Sequence, residues 1–278
     1  MRRFVILVGA VAVYSVGAGA QDSAAPAFVL AGLAARTQQY YERFISIICT
    51  ESVQTQNLKT NLSPDGPPRT TVYELSVSRD ASGKNADSEF RVERTLQTVN
   101  GRPVRKNQRT ECTDPKTGTP EPLEFLLAVN QKRYRFTISA AAGGPPGTSA
   151  VDFVETPPER VRVTWEGSCF EAGGGGQNGR VWFDPQTYDV FQVDLRLAKP
   201  FLIVLPEGVF GVRPPIRVER SEMTLRFSRV AFQLPDEELM LPVAIETLNV
   251  MRGVPSMRIT QSLKNYRRFL TKSEIRGN

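Results

Sequence analysis

The segment RVWFDPQTYDVFQVDLRL (residues 180–197) predicts two β-strands joined by a tight turn. Residues 184–187 (DPQT) favour the turn, because proline presets one backbone dihedral and aspartate can hydrogen-bond to its own backbone. Apolar side chains alternate with polar ones along the second strand, at Phe191, Val193, Leu195 and Leu197. Alternation with a period of two is typical of a sheet with one buried and one solvated face.

The same alternation recurs along much of the chain, and two other segments have helical spacing. Residues 26–47 predict an amphipathic helix that begins at Pro26, with Arg36, Gln39 and Arg43 outside its apolar stripe and Cys49 at its end. Residues 123–129 predict a short second helix. We therefore expect a mainly β (α+β) protein, a strongly curved antiparallel sheet or incomplete β-barrel of about ten strands packed on the two helices. A change of phase after Phe227 predicts a bulge near Ser228.

The first 20 residues have the order of a secretory signal peptide. Arg2 and Arg3 precede a short apolar run, and a small-residue site ends at Ala20. We expect export to the periplasm or the extracellular space, and one domain over residues 21–278. Without the two arginines, 33 basic residues face 29 acidic ones, a net charge of +4. This mild charge is spread along the strands, so we expect no nucleic-acid partner. No later segment predicts a transmembrane span, and no pattern predicts an oligomeric state.

Three cysteines allow one disulfide and one remaining thiol in an oxidising compartment. Cys112 and Cys169 both lie beside turn-forming residues, whereas Cys49 lies in the helical pattern. We favour a Cys112–Cys169 disulfide, although spacing alone leaves the other pairings open.

The chain contains no histidine. Serine–histidine, cysteine–histidine and histidine-based zinc sites are therefore excluded. Paired carboxylates could support glycoside hydrolysis, but the candidates also have structural explanations: Asp184 begins a turn, Asp194 lies on a solvated strand face, and residues 236–238 follow Pro235 in a loop. These candidates are Asp184, Asp189, Asp194, Glu219, Glu222 and residues 236–238. We predict no catalytic residue, no metal and no cofactor.

Residues 201–212 are almost entirely apolar but are interrupted by proline and glycine. One interpretation is a buried edge strand followed by a turn. The other is an apolar flap over a hydrophobic groove, with Phe201, Ile203 and Phe210 as its ligand-binding side chains.

Residues 179–190 (GRVWFDPQTYDV) resemble the matching hairpin of the periplasmic outer-membrane lipoprotein carriers, the LolA/LolB-like half-barrel group. Leu234-Pro235, the strand at residues 241–250 and the YRRF sequence at residues 266–269 are similar to features of related exported bacterial proteins. The resemblance implies an incomplete barrel whose concave side holds a lipid or acyl chain, with Trp182, Phe191 and Val193 on the matching strands. The chain is longer than the carriers and has the additional segment 201–212.

These observations lead to two hypotheses of different classes. The first is a non-enzymatic exported protein that binds a lipid, an acyl chain or a lipidated protein on the concave side of the sheet. The alternative is an envelope scaffold or protein-interaction module whose apolar segments form a filled core without a ligand. An enzyme such as a glycosidase is a third and weaker hypothesis.

Overall fold

The computed structural model describes residues 23–44, 46–79, 90–105, 112, 123–158, 160–166, 169–204 and 215–268. The predicted signal peptide, Phe210 and Phe269 lie outside these residues. The helices are α1 (Ala27–Arg43) and α2 (Ala128–Gln131), with a single 3-10 turn at Glu124–Leu126. The strands are β1 (Ser23–Ala24), β2 (Ile47–Leu58), β3 (Arg69–Arg79), β4 (Phe90–Val99), β5 (Arg102–Pro103), β6 (Tyr134–Ser139), β7 (Ser149–Glu155), β8 (Arg162–Glu166), β9 (Cys169–Gly173), β10 (Gln177–Phe183), β11 (Val190–Leu197), β12 (Phe201–Ile203), β13 (Ile216–Gln233), β14 (Asp236–Arg252) and β15 (Ser256–Arg268).

Thirteen of the strands form one antiparallel sheet in the order β1-β6-β7-β10-β11-β13-β14-β15-β2-β3-β4-β5, with β12 paired to β13. The strands β1 and β5 lie at opposite ends of this order, so the sheet is open. Strands β8 and β9 form a separate two-stranded sheet. The predicted fold class, a curved antiparallel sheet packed on an N-terminal helix and a short second helix, is confirmed.

Helix α1 packs inside the bend of the sheet and joins its two halves. The cluster around Leu33, Phe153 and Val193 is the main core. The cluster around Phe44, Leu75 and Leu241 is the second core. From β6 in the main core to β3 in the second core, the sheet spans nine strands, a width of about 38 Å at the usual strand spacing. A helix of 17 residues is only about 26 Å long, so the sheet has to bend toward α1 to share both cores with it.

The central hairpin follows the predicted alternation. Val193 is fully buried in the main core, and Phe191 and Leu195 pack against it. The predicted turn also forms, because the Asp184 carboxylate accepts hydrogen bonds from the backbone N–H groups of Gln186 (2.7 Å) and Thr187 (3.1 Å). These backbone bonds hold the pKa of Asp184 below its usual value.

Three details of the sequence prediction are wrong. Helix α1 ends at Arg43 rather than near residue 47, because Ser46 adopts a positive φ of 62° and the chain turns into β2 at Ile47. Cys49 therefore lies in a strand, where alternation buries it. Asp236, predicted in a loop, begins β14. A register shift does occur beside Phe227, next to the predicted bulge at Ser228, but its extra residue is Val243 of the partner strand β14.

Gly179 provides a test of how tightly the hairpin packs. A Cβ atom at this position would lie 2.0 Å from the Asp194 carbonyl oxygen and 2.7 Å from the Phe153 ring. We expect Gly179→Ala to lower the free energy of unfolding by about 1–3 kcal/mol, the usual cost of overpacking. The measurement is urea unfolding followed by circular dichroism.

Gly173 in β9 is the matched control, since a Cβ atom there would meet nothing within 4 Å. Gly173→Ala should leave the unfolding midpoint almost unchanged. Equal effects of the two substitutions would contradict the close packing at Gly179.

Candidate functional site

A cleft that opens to solvent lies between the C-terminal half of α1 and the sheet. Its enclosed volume is about 30 Å³, and the space reaches about 480 Å³ only when the open solvent at its mouth is counted. Its sheet side is mainly apolar and is formed by β11 and the turn before it, by β13 and β14, and by the residue before the 3-10 turn. These lining residues are Leu123, Asp189, Val190, Phe227, Leu239, Met240 and Leu241.

Helix α1 lines the cleft with Arg36, Thr37, Gln39, Tyr40 and Arg43. Residues three or four positions apart lie on the same side of a helix, so Arg36, Gln39 and Arg43 follow one edge of the apolar stripe. Sequence reasoning placed these three residues on the solvated face. The signal that could have identified them is their shared helical spacing beside Tyr40.

The turn between β10 and β11 fixes the position of the helix. A Cβ atom at Gly32 would lie 2.5 Å from the Tyr188 ring, so the ring packs directly on the helix backbone. Only a residue without a side chain allows this approach. Tyr188 also stacks on Phe183, with 6.1 Å between the ring centroids. This contact brings the next residue, Asp189, against the side of α1.

Asp189 is a buried carboxylate with an arginine on each oxygen. Its side chain is only 4% exposed. The Arg36 Nε atom donates to Oδ1 at 2.6 Å, and the Arg229 Nη2 atom donates to Oδ2 at 3.3 Å. Arg36 also donates to the Gln39 side chain at 3.0 Å. The two guanidinium groups neutralise the carboxylate and connect α1 to β11 and β13.

Arg43 stands at the other end of the mouth and is about half exposed. Its Nε atom is 3.8 Å from the Glu237 carboxylate. The same carboxylate makes closer contacts with Arg268, at 2.5 Å and 2.8 Å. Arg268 binds Oε1 of Glu237, whereas Arg43 faces Oε2, so Arg43 lines the cleft and shares its counterion with a closer arginine.

Two buried hydroxyl groups of α1 also line the cleft. Within the part of the chain that the structure describes, the Thr37 Oγ1 and Tyr40 OH atoms have no hydrogen-bond partner. Thr37 is only 2% exposed. Burial raises the pKa of the Tyr40 phenol well above its usual value, so the phenol stays protonated. Both residues line the cleft, and the two hydroxyl atoms themselves are closed to bulk solvent.

The one free cysteine lies in the second core rather than in the cleft. Cys49 is 1% exposed. Burial, followed by the nearby Glu51 carboxylate, raises the pKa of its thiol to about 12. A protonated, inaccessible thiol is a poor nucleophile. Among the described residues, no group of histidine, cysteine, aspartate or glutamate side chains could hold a metal ion. Cys112 and Cys169 form a disulfide.

The residues that were predicted from the sequence to bind a ligand lie in three places. Phe191 and Val193 pack in or against the main core, on the side of the sheet that faces α1. Trp182 lies between the core residues Val181 and Phe183 in β10, and its ring packs against Gly144. Because successive side chains of a strand point to opposite faces, Trp182 lies on the face of the sheet away from α1. Phe201 and Ile203 form β12 and pack in a third cluster with Ile216 and Val218. The structure brings none of these residues to the cleft lining.

Of the acidic candidates, Asp189 alone is among the described lining residues. Asp194 accepts hydrogen bonds from Gln192 and Thr224, and Glu222 pairs with Arg220, which holds the pKa of Glu222 below its usual value. Glu219 pairs with Arg252. These contacts place Asp194, Glu219 and Glu222 in structural ion pairs and hydrogen bonds.

Comparison with known proteins gives one similar structure. The chain is similar to a LolA superfamily protein from Nitrosomonas europaea, with 8% sequence identity over 90% of this chain and 97% of that chain and a TM-score of 0.36. No protein-family model and no curated protein matches the chain. No helix within the described residues is long and apolar enough to cross a membrane.

Asp189→Asn tests the ion pairs that attach α1 to the sheet. The amide would leave two guanidinium groups without their counterion. Because the two guanidinium groups are partly exposed and the buried amide would place a donor against a guanidinium donor, we expect the free energy of unfolding to fall by about 1–3 kcal/mol, the cost of one unsatisfied buried polar group. Urea unfolding at neutral pH measures the change.

The matched control is Glu246→Gln, which breaks the pair between Glu246 and Arg226, two side chains that are about half exposed. Exposed pairs contribute about 0–1 kcal/mol. A loss at Asp189 no larger than the loss at Glu246 would contradict the structural role of Asp189.

The buried thiol of Cys49 gives a third prediction. Because its pKa is raised to about 12, almost no thiolate exists near pH 8, and burial blocks access. We expect the folded protein to resist Ellman's reagent at pH 8 and the unfolded, unreduced protein to react at one thiol. Rapid labelling of the folded protein would show that the second core is open around Cys49.

Proposed function

We propose that the chain is a non-enzymatic exported protein that binds a hydrophobic ligand, a lipid or an acyl chain, in the cleft between α1 and the concave side of the sheet. The observation that carries this proposal is the cleft itself. Four buried apolar side chains of adjacent strands line it: Phe227, Leu239, Met240 and Leu241.

The proposal uses the hydrophobic effect as the source of affinity. Removal of apolar surface from water contributes about 25 cal/mol per Å², and ligand sites are typically concave, mostly apolar and equipped with a few polar groups. The cleft has this composition. Phe191 and Val193 form part of the main core behind it, so a ligand would rest on a packed and rigid wall.

The absence of enzymatic activity is part of the proposal and is supported by the charged groups of the site. The chain has no histidine. The carboxylate that lines the cleft, Asp189, is occupied by Arg36 and Arg229. The buried, protonated thiol of Cys49 lies in the second core. None of these groups is arranged as an activated nucleophile with an adjacent base.

Export is supported by the order of residues 1–20 and by the Cys112–Cys169 disulfide. Disulfides persist in oxidising compartments and are rare in the cytosol. These two features together support periplasmic or extracellular localisation.

The direct test is extraction. The protein is purified from its native compartment without detergent, extracted with organic solvent and examined by mass spectrometry. We expect a lipid or acyl compound in the extract, and stabilisation of the emptied protein by decanol in a thermal unfolding experiment. An extract without lipid, combined with no response to decanol, would contradict the proposal and favour the scaffold hypothesis.

A pair of adjacent glutamines tests the position of the site. Gln39 lines the cleft, and an indole there should obstruct the mouth. We expect Gln39→Trp to weaken decanol binding about tenfold, a loss of about 1.4 kcal/mol, measured by titration calorimetry.

Gln38 is the control, because it is exposed on the same helix and contacts Glu42 at 3.1 Å outside the cleft. Gln38→Trp should bind decanol like the unmodified protein. Equal affinities of both variants and the unmodified protein would exclude this cleft as the binding site.

A further inference from the structure

We propose that the cleft selects single-chain amphiphiles with an anionic headgroup, and that Arg43 together with the Thr37 and Tyr40 hydroxyl groups binds the oxygen atoms of that headgroup. This inference rests on the proposed function and deepens it by naming the ligand class. The shared chemistry is a carboxylate or a phosphate attached to one apolar chain.

The first argument for an anionic headgroup is the charge around the mouth of the cleft. The described lining residues carry two positive charges, on Arg36 and Arg43, and one negative charge, on Asp189. Arg36 and Arg229 already neutralise that carboxylate. Among the described residues, the counterion of Arg43 is Glu237 at 3.8 Å, and Arg268 binds the same carboxylate more closely. The mouth is therefore positive at Arg43 and would repel a cationic headgroup.

The second argument is the pair of hydroxyl groups of Thr37 and Tyr40. A buried polar group without a partner costs about 1–3 kcal/mol. Thr37 Oγ1 and Tyr40 OH are both in this condition among the described residues, and both line the same cleft as Arg43. An anion with several acceptor oxygens can accept hydrogen bonds from both hydroxyl groups while it pairs with the guanidinium group. Neither a hydrocarbon nor a cation could satisfy the hydroxyl groups in this way.

The third argument is the division of the cleft lining into a polar side and an apolar side. The polar groups all lie on α1, whereas the sheet side is apolar apart from the neutralised Asp189. A ligand with charge at one end and a chain at the other matches this division. The headgroup would lie near the arginine side of the helix, and the chain would lie against Phe227, Leu239 and Met240.

Four compounds with the same ten-carbon chain test the selectivity: decanoate, decyl phosphate, decanol and decyltrimethylammonium. Titration calorimetry of the full-length mature protein, below the micellar concentration of each compound, measures the affinities. We expect at least one anion to bind about tenfold more tightly than decanol, because a charge-assisted hydrogen bond contributes more than a neutral one. We expect decyltrimethylammonium to bind more weakly than decanol.

The two anions distinguish a carboxylate headgroup from a phosphate headgroup by their relative affinity. The preference for the anion should also decrease as salt is added, since the mouth is open to solvent. Binding of decanol without any preference for the anions would overturn this inference and leave the proposed function intact. Failure of every compound to bind would overturn both.

Arg43→Met keeps the aliphatic part of the side chain and removes the charge. We expect it to weaken binding of the anions about tenfold and to leave decanol binding unchanged. Arg226→Met is the matched control. Arg226 is also about half exposed and paired with a glutamate. It lies between the core residues Leu225 and Phe227 in β13, so its side chain points to the face of the sheet away from the main core. Loss of anion affinity in both variants, or in neither, would overturn the role of Arg43.

Thr37→Val gives a second readout that a purely structural role would not produce. Valine has nearly the shape of threonine and no hydroxyl group. We expect the variant to be more stable than the unmodified protein without ligand, because an unsatisfied polar group is removed, and to bind the preferred anion less tightly. A variant with lower stability or unchanged anion affinity would contradict the assignment of Thr37.

Discussion

The structure depends on the packing of one amphipathic helix inside a bent sheet. The main core draws on β6, β7, β10 and β11, and the second core draws on β2, β3 and β15. Both cores share β13 and β14, and α1 contributes side chains to both. Tyr40 packs against both clusters, on Phe44 at 5.0 Å and edge-to-face with Phe227 at 6.4 Å between ring centroids. Without the helix, the concave face would expose a large apolar surface to water. Burial of that surface is the main source of stability.

The same packing explains why a cleft exists. A single helix cannot cover a sheet as wide as this one, and strands β13 and β14 bend at the register shift beside Phe227. The Tyr188 ring on Gly32 and the Asp189 ion pairs hold α1 at a fixed distance from β11. Space therefore remains between the C-terminal half of the helix and β14. The contacts that attach the helix also determine the width of the cleft.

Sequence patterns were informative where burial alone decides the structure. Alternation at residues 191–197 predicted the strand and its buried face, and the turn chemistry of Asp184 predicted its start. The end of α1 was missed because Ile47 and Cys49 continue an apolar pattern that fits a helix or a strand, and the positive φ of Ser46 has no clear sequence signature. The cleft was missed for a different reason. Arg36, Gln39 and Arg43 are indistinguishable from a solvated helix face until the position of the neighbouring sheet is known, and sequence alone could not assign Trp182 to the face opposite the helix.

The cleft is not explained by stability alone. Valine at position 37 and phenylalanine at position 40 would fill nearly the same space without burying hydroxyl groups, and each buried hydroxyl group without a partner costs about 1–3 kcal/mol. Arg43 likewise contributes little to the fold through a 3.8 Å contact with a carboxylate that already has a closer partner. Three polar groups on one side of one helix, each poorly satisfied within the described protein, all border the same apolar space. A bound molecule with acceptor oxygens at one end would satisfy all three groups, whereas a filled, ligand-free core would satisfy none of them.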